Sequence, residues 1–230
     1  MRKGEELSSH LPETQRLNEE SFWSMIDKYG VVMIKPTRGY KGKGVIQISC
    51  IEEGRYEFHS LYKKYEVEGK NQAFEHINTH YCSNKHYIVQ QKIPLANING
   101  CPFDVRVMTQ REKNSDTWEV TGTLAKVAAD KFVITNYPQK IIPLKEAIEL
   151  SMVGLEIKSI QSEIERICII TAEQLGTYYE DSCLFGFDIG LDLEGEIWMI
   201  EANLKPSISM FKSLKDLSMY KKIRKYKKKG

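Results

Sequence analysis

The stretch LFGFDIGLDLEGEIWMIEANLKPS, from Leu184 to Ser207, decides the reading of this chain. Two apolar-rich runs flank Glu194-Gly195, and a tight turn at those two residues sets Asp188 directly opposite Glu201. Alternation along the strands then puts Asp188, Gly190, Asp192, Met199, Glu201 and Asn203 on one face and Phe187, Ile189, Leu191, Trp198, Ile200 and Ala202 on the other. Two carboxylates opposed across a ladder repel unless something positive sits between them. A hard cation would serve: two carboxylates and an amide oxygen are ligands that magnesium uses when it also holds nucleotide phosphates. The plainer alternative for an isolated hairpin of this kind is a solvated polar face.

Working outward, the interleaving of strands and helices implies an α+β or α/β chain rather than a bundle or a sandwich. Asn18 to Lys28 reads as a capped helix ending at Gly30, and Val31 to Lys35 as a short strand stopped by Pro36. Val45 to Ile51, Tyr56 to Val67 and Tyr87 to Ile93 supply further strands, with a helix near Asn71 to Tyr81. Pro94 opens a looser segment before the strand Phe103 to Arg111, which pairs with Thr117 to Ala128, and Ile157 to Tyr179 is the longest helical candidate. We expect one domain of two lobes, about 17–93 and 94–212, followed by a basic tail, 213–230.

The 230 residues are 41% hydrophobic and 28% charged, enough to bury a substantial core. No run is long enough to span a bilayer, and the N-terminus lacks the apolar segment of a signal peptide. The five cysteines form neither a CxxC motif nor a Cys/His cluster and read as reduced thiols, so a cytoplasmic protein is expected. Seven basic residues and no acidic one fall between Lys221 and Gly230, which makes the rest of the chain net acidic. Such a tail fits an anionic partner, although terminal basic runs are commonly solvated.

Three elements besides the hairpin carry chemistry. Arg38-Gly39-Tyr40-Lys41-Gly42-Lys43-Gly44 combines three glycines with three cations between two strands, the composition of a loop that wraps phosphate, without the Walker spacing. Lys35 ends an otherwise apolar strand and needs a counter-anion. Asp104 and Arg106 share a strand face, where an ion pair is the simple reading, and Lys126 sits in the apolar run of the partner strand.

VVMIKPTRGYKGKGV, YIVQQKI, FDVRV and the opening hairpin, in this order, resemble the successive motifs of the ATP-grasp superfamily. Together with HLPET near the start, they are most similar to the YheC/YheD-type group associated with endospore coats. The resemblance implies an α+β ATP-grasp fold whose two lobes clamp ATP, using Mg2+. It also implies carboxylate–amine or carboxylate–thiol ligation through an acyl-phosphate, on substrates the sequence does not name.

Carried over by position, Lys35, Arg38, Gly39, Lys41, Gly42, Lys43 and Gly44 contact ATP phosphates, and Gln90, Gln91, Lys92 and Ile93 form the adenine hinge. Asn136 lies near the phosphates and the acceptor, Arg106 and Lys126 are catalytic, and Asp188, Glu201 and Asn203 bind the metal. The chain departs from the pattern at Gln90-Gln91, where an acidic residue is common, and at Tyr137-Pro138, where a glycine pair is expected. Only about thirty residues precede the Lys35 strand, so the usual N-terminal domain is expected to be absent. A non-catalytic ATP-binding or spore-coat structural protein, and a kinase, are the competing expectations.

Overall fold

The computed structural model describes residues 2–39, 42–82, 86–151 and 156–227. In chain order the elements begin with α1 (Arg2–Ser8), β1 (Thr14–Arg16), α2 (Glu19–Tyr29), β2 (Val31–Pro36), β3 (Ile46–Glu52), β4 (Arg55–Ser60), β5 (Lys63–Glu68), α3 (Lys70–Ile77) and β6 (Tyr87–Gln91). They continue with β7 (Asn97–Ile98), β8 (Cys101–Gln110), β9 (Glu119–Ala128), β10 (Pro138–Ile142), α4 (Leu144–Ser151), α5 (Ile157–Gly176), β11 (Leu184–Leu191), β12 (Ile197–Asn203) and α6 (Ser218–Lys227).

The chain divides into two compact units. The N-terminal unit comprises Pro12–Ile93 with Ala128–Tyr137, and the C-terminal unit comprises Met1–Leu11, Pro94–Val127 and Pro138–Gly230. Two segments therefore fall outside the expected lobe limits. Leu7 of α1 joins the core of the C-terminal unit, and residues 128–137 belong with the N-terminal one.

The N-terminal unit is an antiparallel sheet in the order β1-β6-β2-β3-β4-β5, covered by α2 and α3. Helix α2 starts where its sequence says it should. The Asn18 side chain accepts from the Ser21 N–H at 2.8 Å, the Ser21 hydroxyl accepts from the Asn18 N–H at 3.0 Å, and Gly30 caps the other end. Its buried stripe of Phe22, Met25 and Ile26 packs on Val32, Ile34, Ile48, Phe58 and Val89. The run Tyr56 to Val67 is two strands, because Leu61 adopts a left-handed φ of 55° and turns the chain. The segment 128–137 is tied to this turn: the Val133 N–H donates to Leu61 O, and Nε2 of the buried His59 lies 2.9 Å from Lys131 O.

The C-terminal unit is a second antiparallel sheet, β10-β9-β8-β11-β12, with α4 and α5 on its apolar face. Phe185, Phe187, Ile189 and Leu191 from β11 and Val105 and Val107 from β8 bury against Ile160, Ile164, Ile167 and Cys168 of α5. Within the expected basic tail, Ser218–Lys227 form a helix. After a 3-10 turn at Ser209–Ser213, α6 buries Ile223 with Phe211 and Leu214 against Met108 and Leu124 on the other face of the sheet. Helical spacing puts Met219, Tyr220 and Ile223 on one stripe, and the lysines that dominate the composition lie outside it. Among the described residues no helix is long and apolar enough to cross a membrane. Cys50, Cys101, Cys168 and Cys183 are free thiols.

On α3 and the π-helical turn that follows it, His76 stacks on His80 with ring centroids 4.0 Å apart and lies 2.9 Å from the Tyr65 hydroxyl. Burial, and then the neighbouring His80, push the His76 imidazole below its ordinary value, and burial does the same to His59. A histidine lowered in the folded state contributes stability above its unfolded value of about 6.5 and loses it as pH falls. Thermal unfolding should therefore shift down between pH 7.5 and 5.5, with a shallower slope in His76→Phe. An unchanged slope would remove the cluster as its source.

Candidate nucleotide and metal site

The opening hairpin differs from its expected form twice, and the differences cancel. The turn holds three residues, Leu193-Glu194-Gly195, closed by the Asp192 N–H donating to Glu196 O at 3.1 Å, with Gly195 at φ 87°. This moves the near-turn register by one residue, so that Ile189 faces Met199 and Leu191 faces Ile197. A bulge at Ile200 restores it, and Asp188 faces Glu201 as the simpler turn also requires. Met199 and Ile197 consequently enter the core with Ile189 and Leu191, instead of Met199 joining Asp188. Asp192 serves the turn: its carboxylate accepts from the Glu194 and Glu196 N–H groups and from Trp198 Nε1.

Strand β8 lies on the other side of β11, with Arg106 opposite Asp188, and β9 brings Lys126 opposite Asp104. Four charged residues, each 8% exposed or less, meet there. Arg106 donates from Nε and Nη2 to the two oxygens of Asp188, at 2.8 and 2.9 Å. Lys126 Nζ lies 3.0 Å from Asp188 Oδ1 and 3.1 Å from Asp104 Oδ2. The pairing on this face is thus Asp104–Lys126 and Arg106–Asp188 rather than Asp104–Arg106. The positive charge that the opposed Asp188 and Glu201 require comes first from the protein's own side chains.

These charges fix one another's protonation. Burial pushes the Asp188 carboxyl up, but Lys126 and Arg106 outweigh it and hold it below its ordinary value. Burial likewise favours neutral Arg106 and Lys126, and the carboxylates of Asp188 and Asp104 reverse it in both.

Two carboxylates and an amide on this face are of the donor types that a magnesium ion takes. The carboxylate of Asp188 has about four acceptor directions, and Arg106 and Lys126 take three. Asn203 Nδ2 donates to Oδ2 at 3.5 Å, the longest of the four contacts to this carboxylate. Glu201 is exposed and Asn203 half-buried, and both side chains carry hard oxygen donors. Among the described residues no three His, Cys, Asp or Glu side chains converge, so the set rests on two carboxylates and an amide.

Arg106 has further N–H groups, on Nη1 and Nη2, to offer. Nη1 lies 3.6 Å from where a Gly186 side chain would begin, and Pro206 already packs 2.4 Å from that point. Sequence reasoning overlooked this close approach, together with the place of Asp104 beside Lys126. The isolated glycine between two phenylalanines was the signal for the first.

The remaining expected residues lie in the N-terminal unit. Lys35 is half-buried at the end of β2, and its ammonium donates to the carboxamide oxygen of Gln90 at 2.5 Å, a neutral acceptor where an anion was expected. Gln90 also donates to Thr14 Oγ1 at 2.8 Å, and Gln91 Oε1 accepts from the Glu13 N–H. The Gln90 and Gln91 side chains, expected at the hinge, therefore brace β1. Burial pushes the Lys92 ammonium down, and its Nζ donates to Ile93 O.

In the glycine-rich loop Arg38 and Lys43 are exposed, and Lys41 lies outside the described residues. Gly42 has φ 68°, and a side chain there would start 2.4 Å from Ile134 and 3.4 Å from Asn136. Asn136 and the loop thus pack together through the absence of that side chain. After Asn136 the chain runs directly into β10 at Pro138, where a glycine pair was expected.

The profile of the family described as YheC/D like ATP-grasp matches residues 1–228. This chain belongs to that family. Over 188 residues it is 25% identical to the endospore coat-associated protein YheD of Bacillus subtilis (strain 168), covering 80% of this chain and 41% of YheD. It therefore spans less than half of that relative's length.

Among solved structures, N5-carboxyaminoimidazole synthetase from Staphylococcus aureus, complexed with ADP, superimposes with a TM-score of 0.53 at 11% identity, covering 90% of this chain and 44% of that one. The ATP-grasp ligase PsnB, complexed with a minimal precursor, Mg and ADP, gives 0.51 at 15% identity, with 94% and 54% covered. D-cycloserine synthetase DcsG gives 0.52 at 12%, with 97% and 68% covered. The ATP-grasp fold expected from the motifs is the fold of this YheC/D-like chain.

Removing one member of the buried cluster should be costly, because it strands a charge away from water. Lys126→Met is expected to destabilise the C-terminal unit by about 3–5 kcal/mol, and Asp104→Asn added to it should recover part of that loss. Because the folded Asp188 carboxyl is lowered, its contribution is present above the unfolded value of about 3.9 and is lost as pH falls below it. Denaturant unfolding of the variants across pH 3 to 7 measures both effects.

Proposed function

We propose that this chain is an ATP- and magnesium-dependent ligase that joins a carboxylate to an amine or thiol through an acyl-phosphate. The observation that carries this is the pairing of Asp188 with Glu201, beside Asn203, on a sheet face that also holds Arg106 and Lys126. Hard oxygen donors and cations on one face are what a transferring phosphoryl group requires. In this reading Asp188, Glu201 and Asn203 hold the ion, which neutralises phosphate charge when bound. The ATP phosphates draw on Lys35, Arg38, Gly39, Lys43 and Gly44, with Gly42 and Asn136 shaping the loop, and the adenine on the backbone of Gln90 to Ile93.

The chemistry asks little of the protein beyond placement. A substrate carboxylate oxygen attacks the γ-phosphorus, the bond to the β-phosphate oxygen breaks, and ADP leaves. Arg106, anchored on Asp188 through Nε and Nη2, offers its remaining N–H groups to the charge that builds on the γ-phosphate and then on the acyl-phosphate. Lys126 sets the charge around Asp188. The amine or thiol then attacks the acyl carbon, phosphate leaves, and the nucleophile's proton passes to solvent or to a substrate group.

A second reading, a nucleotide-binding protein without turnover, is favoured by two observations. Arg106 and Lys126 are both engaged by buried carboxylates, and β10 begins where an acceptor loop with a glycine pair was expected. In either case an association with the endospore coat, carried over from YheD, and an anionic partner for α6 belong to the same proposal.

Calorimetric titration of the full chain with ATP, with and without Mg2+, and release of ADP and phosphate on addition of candidate acceptors test the proposal. Mg2+ should tighten ATP binding, and Glu201→Gln should weaken that Mg2+ effect at least tenfold while leaving the unfolding midpoint within a few degrees. Absence of Mg-ATP binding sinks both readings. Binding without turnover across a broad panel of carboxylates and amines selects the second.

A further inference from the structure

Helix α6 places its cations asymmetrically. With Ile223 at the centre of the buried stripe, a turn of 100° per residue points Lys221 and Lys225 straight outward, with Lys222 on one flank and Arg224 on the other. The Lys222 flank is neutralised: its ammonium lies 3.6 Å from Glu119 and donates to Val120 O. On the Arg224 flank, Lys212 and Arg224 both lie over the ring of Tyr220, at 5.4 and 5.8 Å from its centroid. Two like charges are therefore gathered beside Lys221 and Lys225, and among the described residues no ion pair within 4 Å engages any of the four. The nearby Asp216 carboxylate accepts from the Ser218 N–H and hydroxyl and attracts Lys221 at longer range than an ion pair.

We propose that this face, formed by Lys212, Lys221, Arg224 and Lys225, is a docking surface for an acidic polypeptide segment. Three properties select that partner among anions. The apolar stripe of α6 is consumed by the body of the unit, with Ile223 fully buried, so the helix has nothing to insert into a bilayer. Tyr220 already has two cations over its ring, which compete for it with any base of single-stranded nucleic acid.

The third property is size. The ten residues of α6 span about 15 Å, the length of about five extended residues. A nucleic acid duplex would run beyond the patch onto a chain that is otherwise net acidic. A run of four or five Asp or Glu side chains fits the length and the charge together. This surface does not depend on ligation, and ATP turnover can fail while it holds.

Fluorescence anisotropy of the full chain with a labelled ten-residue poly-glutamate peptide tests it, with a DNA oligonucleotide and phosphatidylglycerol vesicles as competitors. The peptide should bind, weaken at least fivefold between 50 and 300 mM salt, and weaken at least tenfold in Lys221→Gln/Arg224→Gln/Lys225→Gln. These side chains are exposed, and circular dichroism confirms that the variant is folded; Lys145→Gln/Lys158→Gln, on other helices, should bind as the parent does. Undetectable binding, an unchanged affinity in the triple variant, or tighter binding to the oligonucleotide or the vesicles than to the peptide overturns the proposal.

Discussion

The buried carboxylate of Asp188 is the constraint around which the C-terminal unit is arranged. A lone carboxylate in that position would be expelled or protonated, so the strand on one side must supply Arg106 and the next strand must supply Lys126. Lys126 in turn requires Asp104. The order β9-β8-β11-β12 therefore satisfies a charge balance as well as an apolar pattern. The apolar face of the same strands, against α4 and α5, supplies the stability that a buried ionic cluster by itself does not.

This arrangement changes what the opposed carboxylates mean. From the ladder alone, repulsion between Asp188 and Glu201 calls for a metal. In the folded chain Arg106 and Lys126 meet most of that demand, and a bound ion would meet a site with less negative charge than two carboxylates suggest. Gly186 belongs to the same design, because Pro206 packs where its side chain would be, beside Arg106.

Much of the fold was legible because local rules agreed with one another. Asn18, the Phe22–Met25–Ile26 stripe and Gly30 specify α2 without reference to anything else. The pairing of Asp188 with Glu201 was also readable, although by compensation: the extra turn residue and the bulge at Ile200 shift the register in opposite senses. Met199 was placed on the wrong face, because a bulge is a tertiary adjustment that moves a side chain to the other face with no mark in the alternation. The basic C-terminus was misjudged for a related reason. Its composition is that of a solvated tail, and only the apolar surface at Met108 and Leu124 makes a three-residue stripe worth burying.

By itself the sequence determined the α+β class, the succession of motifs that belongs to YheC/D-like ATP-grasp proteins, and the identity of the charged residues, since these follow from residue type and order. Tertiary structure decided which charges meet. Asp104, Arg106, Lys126 and Asp188 come from three strands, and their partners depend on sheet order and register rather than on separation along the chain. The same holds for Asn136, which reaches the glycine-rich loop because Gly42 leaves room for it. Spacing can nominate such residues, but only packing brings them within the few ångströms over which a buried charge or a close approach has its effect.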